Sequence, residues 1–215
     1  MTTINMEIKE LYLRLLFFAL LFHTGIKANA YDIAVKNADG VIIYYNFIND
    51  GTELEVCNGN FYYGNIVIPE EVTYMNRTKK VTRIGNRAFW ECTSLYSITI
   101  PNTVKSIGLR AFWECTSLLE VTIPDSVTTI DEGAFSGCTS LSTVTLGSSI
   151  TKLGNGIFSF CISLSSVTSK MEHPCTVSLD CFTHYTYYNA TLHVPDGCLL
   201  NYKNTSNWNK FLYIE

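Results

Sequence analysis

Ala88-Phe89-Trp90-Glu91-Cys92-Thr93-Ser94-Leu95 returns 23 residues later as Ala111-Phe112-Trp113-Glu114-Cys115-Thr116-Ser117-Leu118. It returns again, one period on, as Ala134-Phe135-Ser136-Gly137-Cys138-Thr139-Ser140-Leu141, and more loosely as Ile157-Phe158-Ser159-Phe160-Cys161-Ile162-Ser163-Leu164. A repeat of roughly 20–29 residues with regularly placed aliphatic positions is the mark of a leucine-rich solenoid. Each unit cannot bury its apolar face alone, so successive coils stack and share one inner column.

Between these phrases lie the segments Leu95–Pro101, Leu118–Pro124, Leu141–Leu146 and Leu164–Thr168, in which aliphatic and polar residues alternate. That alternation predicts short half-buried strands. Pro101 and Pro124 end them, because proline has no N–H to continue a ladder. A second aliphatic pair follows (Val81/Ile84, Val104/Ile107, Val127/Ile130, Ile150/Leu153), then Gly85, Gly108 and Gly154 where the chain must turn, with Asp131 in that place once. Phe89, Phe112, Phe135 and Phe158 are expected to fill the far side of the core. The fold class is therefore a mostly β, right-handed leucine-rich-repeat solenoid of about five to six coils. It carries a β-rich N-terminal cap and a C-terminal cap.

The ends break the period. Residues 1–30 read as a secretory signal peptide. Lys9 and Arg14 precede the apolar run Leu15–Phe22, and Ala28-Asn29-Ala30 is a cleavage site of the A-x-A type. The apolar run is far shorter than the roughly 20 residues that cross a bilayer, and no later segment is a spanning candidate. Residues 31–63 do not repeat. Turn residues at Asp39-Gly40 and Asn49-Asp50-Gly51 between apolar runs predict a small β cap over the first coil. The solenoid runs over 64–169, with a longer loop at Thr73–Lys80. Residues 170–215 form a last irregular coil and a C-terminal cap, in which Tyr202, Trp208 and Phe211 close the exposed end.

The combination Ile-Pro-x-x-Val-x-x-Ile-Gly-x-x-Ala-Phe-x-x-Cys-x-x-Leu resembles the BspA-like leucine-rich repeat family. Ile100 to Leu118 and Ile123 to Leu141 match it almost position for position, with Asp131 departing at the glycine. The tail, Leu192-His193-Val194-Pro195 with Tyr202, Trp208 and Phe211, is similar to that family's C-terminal cap. The opening Tyr31-Asp32-Ile33 with Asp39-Gly40 is similar to its lead-in. The resemblance implies a secreted, often surface-associated protein without catalytic activity in its repeats. It brings adhesion to host macromolecules as an expected role.

Composition narrows the function further. Charged residues are only 16% of the chain against roughly 25% in an average soluble protein, which fits a narrow solenoid around an apolar column. The net charge of −4 gives no footprint for nucleic acid. No G-x-S-x-G, H-E-x-x-H or phosphate-binding glycine loop occurs, so no enzyme and no cofactor is expected. His173, Cys175, Cys181 and His184 have no established zinc spacing.

Cys92, Cys115, Cys138 and Cys161 share one phase of the repeat and are expected as a reduced structural ladder of inward thiols. Among the others, Cys175, Cys181 and Cys198 leave room for one bridge. Two surfaces are candidates for binding. The outward strand positions Thr99, Thr122, Thr145 and Thr168, with Glu120 beside them, offer spaced hydroxyls to a glycan or extended peptide. Threonine is equally a good exposed strand residue without that role. Trp90 and Trp113 hold the same phase in adjacent repeats, yet their next equivalents are Ser136 and Ser159, so the repeat itself needs no aromatic there. They are either an anchor for a partner or local packing over Arg87 and Arg110. The partner expected is an extracellular or host protein. The alternatives are a glycan, or a structural role in the cell envelope.

Overall fold

Each 23-residue unit makes one coil carrying short strands that stack in parallel on the strands of the next coil. The computed structural model of the chain describes residues 31–59 and 62–215. The expected signal peptide, residues 1–30, lies outside the described residues.

The first column of strands is β4 (Gly64–Val67), β7 (Leu95–Thr99), β9 (Glu120–Thr122), β11 (Thr143–Leu146), β13 (Ser166–Ser169), β14 (Thr191–His193) and β15 (Tyr213–Ile214). Their register is the one the alternation demands. Thr143 lies between Glu120 and Ser166, Thr145 between Thr122 and Thr168, and Val144 between Val121 and Val167. Between β7 and β9 the link is looser, with Leu119 N–H donating to the Tyr96 carbonyl at 3.3 Å. These seven positions exceed the five to six coils expected from the repeat. The extra turns come from the C-terminal cap, whose last strand is too short to show a period.

The second column holds β6 (Arg77–Ile84), β8 (Ser106–Ile107), β10 (Thr129–Ile130) and β12 (Lys152–Leu153), all parallel. The N-terminal strands extend this column instead of only lying across the first coil. β1 (Ile33–Lys36), β2 (Ile42–Ile48) and β3 (Glu53–Val56) form an antiparallel meander, and β3 then pairs in parallel with β6. The β2–β3 turn places Asn49, Asp50 and Gly51 at positive φ, a conformation that short polar residues and glycine accept. The Thr73–Lys80 segment is not a loop. It is a hairpin in which β5 (Glu71–Tyr74) runs antiparallel to β6 around Met75-Asn76, both at positive φ, as two-residue hairpin turns require. Lys79 Nζ ties this hairpin back to the Gly51 carbonyl and lies 5.5 Å from the Phe47 ring centre.

Inside, aromatic rings stack along the axis. Centroid spacings are 4.7 Å for Tyr62–Phe89, 4.8 Å for Phe89–Phe112, 4.9 Å for Phe112–Phe135, 5.6 Å for Phe135–Phe158 and 5.4 Å for Phe158–Phe182. The column cannot end in water without exposing a ring at each end. Tyr62 closes one end. Tyr187, Trp208 and Phe211 pack round Phe182 at the other. Tyr187 comes from α1 (His184–Asn189), and Trp208 and Phe211 from a 3-10 turn at Trp208–Lys210 and its C-cap, while α2 (Leu199–Asn204) sets Tyr202 edge-on against Trp208. Thr183 caps α1 by accepting from the Thr186 N–H at 3.0 Å. The Trp208 indole donates to the Cys175 carbonyl at 2.8 Å.

Candidate functional site

Beside each core phenylalanine the coil makes a tight turn that is stapled to its neighbour. Around Phe89, the N–H groups of Arg87, Phe89 and Glu91 donate to the carbonyls of Leu109, Ala111 and Trp113 at 2.9, 2.7 and 2.8 Å. Holding these rungs forces two positions per coil into the left-handed region. In the Phe135 coil those positions are Gly133 (φ 61°) and Gly137 (φ 78°), and in the Phe158 coil the first is Gly156 (φ 60°). Glycine adopts this conformation without a Cβ clash. In the Phe89 and Phe112 coils the same positions are Arg87, Glu91, Arg110 and Glu114, at φ of 52–56°. Each such residue costs on the order of 1 kcal/mol.

The same two coils carry the tryptophans. Trp90 and Trp113 stack with centroids 5.9 Å apart and planes 14° from parallel. Arg87 and Arg110 each sit with the guanidinium carbon 5.5 Å from the centre of their own tryptophan ring. Both rings are therefore half-buried rather than freely exposed, and the local-packing arrangement over Arg87 and Arg110 is present. The Trp90 indole N–H is buried without a hydrogen-bond partner among the described residues. The next coil makes room for the ridge. A Cβ at Gly137 would stand 2.9 Å from Glu114 Cγ, and one at Gly133 3.4 Å from Arg110 Cγ. Arg-Trp-Glu is thus built twice at a turn where Gly-Ser-Gly also folds.

Thr99, Thr122, Thr145 and Thr168 point outward on the strand face, with Thr122, Thr145 and Thr168 in strict register and Glu120 exposed beside Thr143. This face and the tryptophan ridge are separate parts of each coil. The cysteines sit on the inner side of the turn. Cys115 Sγ donates to the Phe89 carbonyl at 3.1 Å, and Cys138 and Cys161 donate to the Phe112 and Phe135 carbonyls at 3.2 Å. Cys92 is buried at the head of the same file. All eight cysteines are free thiols, so the bridge left open among Cys175, Cys181 and Cys198 is not made. His173 lies beside Asn201, and His184 stacks on Tyr188 at 4.4 Å. Among the described residues no three potential metal ligands are grouped.

The repetition of conformation at residues 87, 91, 110 and 114 is not visible from composition. The signal was present in the alignment of the repeats, where glycine in one coil faces arginine or glutamate in another.

Residues 60–189 match the BspA type leucine rich repeat region, in six copies. No curated protein matches the chain. Among solved structures, the chain is similar to a leucine-rich repeat protein of T. pallidum, at 21% identity and a TM-score of 0.65, covering 80% of this chain and 78% of that one. It is also similar to a leucine-rich repeat protein from Bacteroides capillosus, at 26% identity and a TM-score of 0.53, covering 65% and 99%. A third likeness, at 22% identity and a TM-score of 0.50 over 78% and 56%, is to a leucine rich cell surface protein from Faecalibacterium prausnitzii. Among the described residues no helix is long and apolar enough to cross a membrane.

Proposed function

The chain belongs to the BspA-type leucine-rich repeat family, and we propose that it is a non-enzymatic recognition module that binds a protein partner outside the cell or at its surface. One observation carries this: the Arg-Trp-Glu ridge is kept in two coils at four left-handed positions where the adjacent coils use glycine at three of their four. Residues held in costly backbone conformations concentrate where function requires their side chains. Arginine and tryptophan are also the side chains most enriched in the energetic centres of protein interfaces. The half-buried tryptophan stack is rigid before binding, so little side-chain entropy remains to be lost. Export is supported by the leader-like residues 1–30. Adhesion to a host macromolecule is the form of this function that the family suggests.

Glycan capture is the second reading. It is favoured by the register of Thr122, Thr145 and Thr168, which sets outward hydroxyls at one strand spacing. The experiment is to probe arrays of extracellular-matrix proteins and of glycans with the purified chain and with Trp90→Ala/Trp113→Ala. A protein signal lost in the variant supports the proposal. A glycan signal insensitive to the tryptophans transfers the function to the strand face.

A further inference from the structure

Two grooves of about 430 and 420 Å³ adjoin at the N-terminal end of the solenoid and share Tyr62 and Tyr63. The first is walled by Tyr63 and Tyr96, with Glu91, Thr93 and Ser94 at its edge. The second runs from Tyr63 past Tyr44 and Ile42 to Asp39. Their common floor is fixed. The Tyr62 hydroxyl donates to the Cys57 carbonyl at 3.1 Å and accepts from the Tyr44 N–H at 3.0 Å, and its ring packs on Phe89. The walls are free. Tyr63 and Tyr96 are 75% and 53% exposed. Among the described residues, the side chains of Tyr63, Tyr96 and Glu91 make no hydrogen bond or ion pair.

Each groove is lined by one acidic residue and no basic one, with the exposed Lys36 side chain passing 3.8 Å from the Cβ position of Gly40 at the rim of the second. Aromatic faces beside a carboxylate attract a cation twice, through the ring quadrupole and through charge. Glu91 is one of the residues held at positive φ, so its carboxylate is presented there against backbone preference. A partner that filled both grooves would cross the exposed Tyr63 ring in an extended form. We propose that these paired grooves hold two basic side chains of an extended protein segment, one beside Glu91 and Tyr96 and the other beside Asp39. This rests on the reading of the chain as a protein-binding module; the grooves share Glu91 with the Arg-Trp-Glu ridge, but neither Trp90 nor Trp113 lines them.

The test is an NMR titration of the full chain with tetralysine, with the same peptide acetylated on its side chains, and with a neutral chitin tetrasaccharide. It is run on the wild type, on Glu91→Gln/Asp39→Asn and on Tyr63→Ala, each checked for unchanged melting. Tetralysine is expected to give saturable shifts around Tyr63 and Tyr96. Its affinity should fall at least tenfold in both variants, and at least tenfold on acetylation. Equal binding of the acetylated peptide, or no saturable binding, overturns the proposal. So does saccharide binding that is lost in Tyr63→Ala and untouched by Glu91→Gln/Asp39→Asn. Trp90→Ala/Trp113→Ala should bind tetralysine as the wild type does. Loss there would contradict a basic-side-chain site that the tryptophans do not line, whatever the arrays show for the ridge.

Discussion

Phe89 and Phe112 stack with their rings 4.8 Å apart and only 3° from parallel. Strand spacing sets that distance, since stacked coils repeat at about 4.8 Å. Phe112 touches Phe135 in the same way at 4.9 Å, so it belongs to two coil interfaces at once. Phe112→Ala should cost about 3–5 kcal/mol and unfold neighbouring coils together, because repeat proteins draw stability from those interfaces. Chemical denaturation would check this, and a near-neutral midpoint would contradict the continuous column.

The thiols predict a pH dependence. Burial pushes Cys92 up to about 11, and burial with Glu55 and Asp32 nearby pushes Cys57 up to about 12. Burial likewise raises Cys138, and the hydrogen bond with Cys138, then burial, raises Cys161. In the unfolded chain these thiols ionise near pH 9. Their contribution is therefore complete below pH 9 and is lost as pH rises through 11 and 12, at up to about 1.4 kcal/mol per pH unit for each thiol. Denaturation midpoints measured from pH 7 to 11 should be flat at first and then fall above pH 9.

The left-handed turns predict a reciprocal pair of effects. Gly137→Ala adds a Cβ at φ 78°, 2.9 Å from Glu114 Cγ, and should destabilise by about 1 kcal/mol or more. Glu91→Gly relieves a strained position but frees the unfolded chain, so stability should stay level or rise by up to about 1 kcal/mol. Thermal melts of the two variants should move in opposite directions or leave Glu91→Gly unmoved. A clear loss on Glu91→Gly would mean that the glutamate is there for stability.

At the C-terminal end the Tyr202 hydroxyl donates to the Met171 carbonyl at 2.7 Å and hydrogen-bonds Ser169 Oγ at 2.5 Å, all in a buried setting. Tyr202→Phe leaves both groups without that partner and should cost about 1–3 kcal/mol. Hydrogen exchange should show the loss concentrated in the last coils, around β13 and β14.

The solenoid was legible because the 23-residue period repeats the same physical demand in each coil. Phe89, Phe112, Phe135 and Phe158 must meet, and Val121, Val144 and Val167 must face inward together. Tyr213-Ile214 was not legible, because two residues carry no period and their pairing is set by the docked cap. The β5–β6 hairpin was missed because Met75-Asn76 lacks the glycine that usually marks such a turn. Around the candidate sites, the pairing of Trp90 with Trp113 follows from phase alone. Their burial under Arg87 and Arg110 follows from side-chain packing, which phase does not specify. The grooves at Tyr63 take Asp39 from one end of the sequence and Glu91 from the first full repeat, neighbours only once Tyr62 bonds Tyr44 and packs on Phe89.

Quantitative binding of the wild-type chain and Trp90→Ala/Trp113→Ala to the strongest protein hit from the matrix array tests the central claim most directly. The account predicts at least a tenfold loss of affinity in a variant that melts as a folded solenoid. Unchanged affinity in that folded variant would contradict it and leave the Arg-Trp-Glu ridge as packing alone.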